Sequence, residues 1–182
     1  AASDVYKRQL SYNIELEYLI ENENYNEVEA LLPELTAGMQ RYQNEIKAVF
    51  LFDFYLRIAQ FYFAKNDYPW CLDWINKILN SPVSPKTSIA LSARVLNLLA
   101  HYELQDERYI EYELLTLKRF LASNKLQNPV VKLLMSFLGK VNFQPDKQVR
   151  QKQITLFQDK INQIISSELG VFKDVKKWVE KL

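Results

Sequence analysis

The sequence predicts an all-α protein built from antiparallel helix hairpins, and three observations carry that prediction. Apolar residues recur every three or four positions along most of the chain, the spacing of a helix face. Three glycines in 182 residues make the chain poor in turn formers, which favours long helices. One apolar stripe also returns at a near-constant offset. Moving 42 positions on from Tyr68, Leu72, Ile75, Ile78 and Leu79 reaches Ile110, Leu114, Leu117, Phe120 and Leu121, and moving back 43 from Tyr68, Cys71, Ile75 and Ile78 reaches Tyr25, Val28, Leu32 and Leu35. Each copy follows a polar turn, NEN, KND or QDE, so three helix pairs are expected.

In chain order, residues 1–9 do not begin with Met and read as a non-native leader, set apart from the fold. Residues 10–123 then hold the helix pairs. From Asn44 to Lys65, Val49, Phe52, Leu56, Ala59 and Phe63 recur with further apolar residues beside them, which predicts a helix buried on more than one side. In NDYP, Asn66 and Asp67 can accept hydrogen bonds from free amides, and Pro69 suits a first helical turn, where its missing N–H costs nothing. The helix it starts buries Cys71, Leu72, Ile75, Ile78 and Leu79 and stops before SPVSP at 81–85. Helices at about 86–104 and about 108–123 follow.

Residues 124–182 break the repeat and are expected to cap it within the same domain. They read as a helix over 129–143, a longer one over 146–167, and a last one in GVFKDVKKWVEKL. The last carries Val171, Phe172, Val175, Val179 and Leu182 on one face, with Lys173, Lys176 and Lys177 elsewhere. A basic amphipathic helix of this kind has a second reading, contact with a membrane surface or an acidic partner.

Charge and composition exclude several function classes. A net charge of +1 removes the usual electrostatic reason to invoke nucleic acid. The charge is nonetheless uneven: residues 1–123 carry 12 Lys and Arg against 17 Asp and Glu, and residues 124–182 carry 11 against 5. One cysteine forms no internal disulfide, which makes the cytoplasm the default compartment. The longest apolar run, AVFLF at 48–52, is far short of the ~20 residues of a transmembrane segment.

Catalytic chemistry finds no foothold. His101 and Cys71 are the sole His and Cys and are expected on different helices, so no nucleophile has a base, no enzyme is predicted, and no zinc set exists. Gly38, Gly139 and Gly170 are scattered, which excludes phosphate-cradling loops, and no cofactor is expected. The pairs Glu15/Glu17, Glu27/Glu29 and Glu111/Glu113 sit two apart and diverge on a helix, as solvated surface does.

The stretch from Tyr55 to Pro82 resembles a tetratricopeptide (TPR) repeat. Tyr55 stands at the first aromatic position, Ile58 and Ala59 where the family has Leu-Gly, Tyr62 at the next aromatic, Asp67-Tyr68 in the turn, Cys71 at the small-residue position and Pro82 near the terminal proline. The pattern is fainter at Leu96, Leu99 and Ala100 and around Tyr25, and the units run 41 to 43 residues where the family has about 34.

The resemblance implies a right-handed α-α superhelix with a concave surface lined by the first helix of each pair, and Cys71 packed where two helices approach closely. Trp70 and Trp74 would cover the seam to the next pair or form an exposed aromatic patch. Carried over, the groove positions are Asp53, Leu56, Gln60 and Phe63, then Arg94, Asn97, His101 and Leu104, with Asn13 and Glu17 in the weakest copy. Arg94, Asn97 and His101 share one helix face and resemble side chains that grip a peptide backbone or carboxylate; the bland alternative is a solvated polar stripe. The function implied is a non-catalytic protein- or peptide-binding scaffold. The alternative is a peptide-sensing regulatory domain of a longer signalling or transcription-regulating protein.

Overall fold

The structure, a computed structural model, describes residues 2–42, 48–164 and 173–182, and these hold nine helices and no strand. The helices are α1 (Ala2–Glu21), α2 (Tyr25–Arg41), α3 (Ala48–Ala64), α4 (Tyr68–Leu79), α5 (Thr87–Glu103), α6 (Glu107–Ser123), α7 (Pro129–Val141), α8 (Lys147–Gln163) and α9 (Lys173–Val179). The side chains of residues 2–10, Val49 and Lys173 lie outside the described residues. So do Asn44 to Lys47 at the expected start of α3, residues 165–167 at the expected end of α8, and Gly170, Val171 and Phe172. Residues 2–9, set apart as a leader, continue the backbone of α1. Among the described residues no helix is long and apolar enough to cross a membrane.

Three connections of one geometry make the hairpins. Between α1 and α2, α3 and α4, and α5 and α6 the chain spends three residues, and the middle one is left-handed: Glu23 at φ 59°, Asn66 at 60° and Gln105 at 58°. The residue after each donates its N–H back across the turn, Asn24 to Leu19 O at 2.9 Å, Asp67 to Tyr62 O at 2.9 Å and Asp106 to His101 O at 3.0 Å. That is the Schellman closure, which satisfies carbonyls a helix end leaves open. Lys125, at φ 53°, ends α6 the same way. Asn66 is therefore the left-handed residue and not a cap. Asp67 holds the cap position of α4 without a side-chain bond, whereas the Asp106 carboxylate accepts from Tyr109 N at 3.3 Å. Pro69 sits in the first turn of α4 as expected.

The turns stand 43 and 39 residues apart, so the third hairpin begins three residues earlier than an offset of 42 puts it. Val28, Cys71 and Ile110 then share the first deeply buried position of the second helix, at 0%, 0% and 1% exposure, with Leu35, Ile78 and Leu117 two turns on. The misreading has a simple cause. A shift of three residues is nearly a full helical turn, and the apolar residues of α6 lie close enough together for either register to land on them.

The chain divides into two compact units, residues 1–93 and 94–182, with the boundary inside α5. In the first, α1, α2 and α3 pack on one another and α4 packs on α3. Leu16, Val28, Leu35, Phe54, Ile58 and Phe61 form much of its core. Cys71 is fully buried, as expected. Trp74 packs on Tyr55 with centroids 5.5 Å apart, and Trp70, 55% exposed, stacks on Tyr62 at 5.9 Å. Both tryptophans thus pack on α3, their own hairpin partner.

In the second unit α6 packs on α7, α7 on α8 and α8 on α9. Phe137 and Phe157 stack face to face at 4.2 Å, and Trp178 meets both edge-on at 6.2 and 6.3 Å. Trp178 also donates its indole N–H to Glu103 Oε1 at 2.6 Å, so its polar handle is satisfied inside the apolar cluster. Val175 and Val179 are buried beside it as expected. Trp178, absent from the predicted apolar face, is the anchor of α9.

Candidate functional site

The first unit gathers its polar groups on one strip. In the 17 residues of α3, Asp53, Arg57 and Gln60 are the only charged or amide side chains, spaced i, i+4 and i+7 and so on one face. Arg57 Nη2 donates to Glu17 Oε1 of α1 at 2.6 Å and Nη1 to Gln60 Oε1 at 3.3 Å. Glu17 and Arg57 keep 46% and 30% of their side chains exposed. Burial pushes the Asp53 carboxyl above its ordinary range, opposed by the positive charges of Lys86 and Arg57 and reinforced by Glu17. Asn13, half-buried on α1, has a buried Oδ1 without a hydrogen-bond partner.

Of the residues expected here, the structure joins Glu17 and Gln60 through Arg57 and sets Asp53 close enough to feel the same charges. Gln60 itself is 7% exposed, and Leu56 and Phe63, at 7% and 8%, are core; Phe63 packs edge-on against Tyr68. Phe63 is corrected accordingly from groove to core. Arg57 was missed, although its position midway between Asp53 and Gln60 on one face was the available signal.

Arg94, Asn97 and His101 do share a face, but it is the face turned to α6. Arg94 Nη1 donates to Glu113 Oε1 at 2.7 Å, with its guanidinium over the Phe120 ring at 5.3 Å. Asn97, 1% exposed, donates to the Tyr109 hydroxyl at 2.9 Å. His101 stacks on the Tyr109 ring at 3.6 Å and 16°, its Nδ1 3.2 Å from Asp106 Oδ2 but out of line for a hydrogen bond. Burial holds the His101 imidazole below its ordinary range, with Asp106 opposing. Burial likewise raises the Glu113 carboxyl, with Arg94 opposing.

Register explains the correction. The groove assignment steps 41 residues from Asp53 to Arg94, whereas the turns step 39. Two residues rotate a helix by about 200°, enough to exchange its outer and inner faces. At a step of 39, Arg94 and Glu113 correspond to Tyr55 and Trp74, and His101 and Tyr109 to Tyr62 and Trp70. Each is a contact between the two helices of a hairpin. The position equivalent to Asp53 is Ser92, 5% exposed, with its hydroxyl unpartnered.

Comparison with family models, curated proteins and solved structures finds no match to this chain.

Among the described residues a cleft lies between α7 and α8. Leu133, Ser136, Phe137 and Lys140 line one wall, and Gln153, Leu156, Phe157 and Lys160 the other, enclosing about 40 Å³. Its floor is the stacked Phe137–Phe157 pair, and sequence reading did not separate it from the expected cap. Among the described residues no three His, Cys, Asp or Glu side chains gather to hold a metal. Cys71 is sealed in the α3–α4 core and His101 lies against Tyr109. What these surfaces offer chemically is hydrogen bonding, charge and apolar contact.

Proposed function

We propose that the chain is a non-catalytic module of the helical-repeat kind that holds a protein or peptide segment against the α1–α3 face. The observation that carries this reading is the concentration of all the charged and amide groups of α3 on one face, where Glu17 and Arg57 stay partly open to solvent beside the buried Gln60. A polar string on an otherwise apolar helix adds little stability by itself, since partly exposed ion pairs contribute only about 0–1 kcal/mol. An arginine steadied on two sides keeps donors free for a partner's carbonyl or carboxylate. The resemblance of residues 55–82 to tetratricopeptide hairpins supports the same reading. The acidic balance of residues 1–123 favours a partner carrying basic residues beside the group that Arg57 holds.

Panning a displayed peptide library against the wild type and an Asp53→Ala/Arg57→Ala variant tests the proposal. Peptides enriched on the wild type should lose binding to the variant while its helical circular dichroism stays unchanged. Peptides that bind both proteins equally would sink the assignment to this face.

A further inference from the structure

We infer that the outer face of α6 is a docking site for an amphipathic helix that carries acidic residues on either side of an apolar pair, a surface separate from the α1–α3 face and tested without it. Arg108, Tyr112, Leu115 and Arg119 fall at i, i+4, i+7 and i+11, the spacing of a two-helix seam, on the side opposite the buried Ile110, Leu117 and Leu121. The two central side chains lie in the open: Tyr112 is 61% exposed and Leu115 54%. Tyr112 is held by its neighbour, its ring edge-on to Tyr109 at 6.2 Å, while Tyr109 itself takes a hydrogen bond from Asn97 and stacks on His101. The hairpin does not need apolar residues here. At steps of 39 and then 43 residues back, the same two positions are Asp73 and Asn76 in α4 and Ala30 and Pro33 in α2, all exposed. Of the three hairpins, the third alone carries large apolar side chains at these two positions.

Charge selects the occupant. Arg108 and Arg119 close the two ends of the stripe; both are exposed, and neither has a hydrogen-bond or ion-pair partner among the described residues. Glu111 and Lys118, also exposed, follow one edge and cancel, so the stripe keeps its positive charge. A second copy pairing through the same face would set arginine on arginine. Antiparallel helices bring Arg108 to Arg119, and parallel ones bring each arginine to its own twin. A helix whose seam reads acid, leucine, leucine, acid at the same spacing meets both arginines with carboxylates and lays its leucines on Tyr112 and Leu115, and it does so in either direction.

The probe is a fluorescein-labelled helical peptide of about three heptads whose central seam is Glu, Leu, Leu, Glu at spacings of four, three and four. Fluorescence anisotropy with the full chain should show saturable binding. Affinity should fall about tenfold or more for Tyr112→Asp/Leu115→Asn, which installs the residues that α4 carries at these positions and leaves the helical circular dichroism unchanged. Arg108→Glu/Arg119→Glu should lose a similar factor, and a peptide with lysines in place of the two glutamates should bind that variant better than the wild type. Asp53→Ala/Arg57→Ala should bind the probe as the wild type does, which keeps this test distinct from that of the α1–α3 face. No saturable binding, or equal binding by either α6 variant, overturns the inference. So does self-association of the wild type in analytical ultracentrifugation that Tyr112→Asp/Leu115→Asn abolishes, which assigns the face to a second copy.

Discussion

Glu113 shows how much one side chain depends on another: it is 2% exposed and its carboxylate is held by Arg94. Arg94→Ala strands that carboxylate. The expected cost in urea denaturation is about 2–3 kcal/mol, below the full range for a broken buried pair because Arg94 keeps 21% of its side chain exposed. The raised Glu113 carboxyl carries a sign of its own. A folded pKa above the unfolded value near 4.5 favours the protonated folded chain, so its contribution is full below that value and is lost as pH rises through the folded one. His101 acts in another window. Its folded pKa lies below the unfolded value near 6.5, so stability is full above that value and falls as the pH drops towards the folded one. His101→Gln should flatten the loss of melting temperature just below pH 6.5. For Cys71, thiol labelling should be slow in the native protein and fast after unfolding. Cys71→Arg should destabilise by several kcal/mol, on the order of a charge forced unpaired into a core.

Hairpins are set by their turns, and here the turns do without glycine. Glu23, Asn66, Gln105 and Lys125 all hold the left-handed conformation, which strains an L residue by roughly 1–2 kcal/mol. Gln105→Gly should therefore raise stability, by up to about 1 kcal/mol after the entropy of the freer unfolded chain is counted, as thermal denaturation can check. The same feature limited what the sequence could reveal. Helix existence was plain from the spacing of residues such as Ile75 and Ile78, and α4 through α7 lie within about three residues of their predicted bounds. The hairpin register was not plain, because no glycine marks the turns and the apolar residues of α6 fit two alignments. That one ambiguity turned Arg94, Asn97 and His101 from the packed face to the open one. Glu17 and Gln60 meet at Arg57 because the first two hairpins stand 43 residues apart. Aligning the cap residues Asn24, Asp67 and Asp106, in place of the apolar stripes, would have found the step of 39.

At the scale of the molecule, the two compact units share α5: residues 87–93 belong to the first and 94–103 to the second. From Ile89 to Ala100 every residue of that helix is buried except Arg94. Ala93→Pro removes a helical hydrogen bond at the boundary and should cost about 3 kcal/mol or more. Its effect should reach both units, seen as a common drop in the denaturation midpoint reported by Trp70 or Trp74 fluorescence in a Trp178→Phe background and by Trp178 in the reciprocal one. The sharing has a consequence for modularity. Domains that recombine freely are joined by exposed linkers that a protease, or a shift in gene structure, can part without harm. This chain keeps its dividing point inside a buried helix, so each half inherits a fragment of secondary structure that it needs the other to complete. Limited proteolysis should cut elsewhere first, for instance in the exposed stretch 82–84 ahead of α5. Attempts to express residues 1–93 or 94–182 alone should yield insoluble or unfolded material, because the smallest inheritable unit of this fold is the pair.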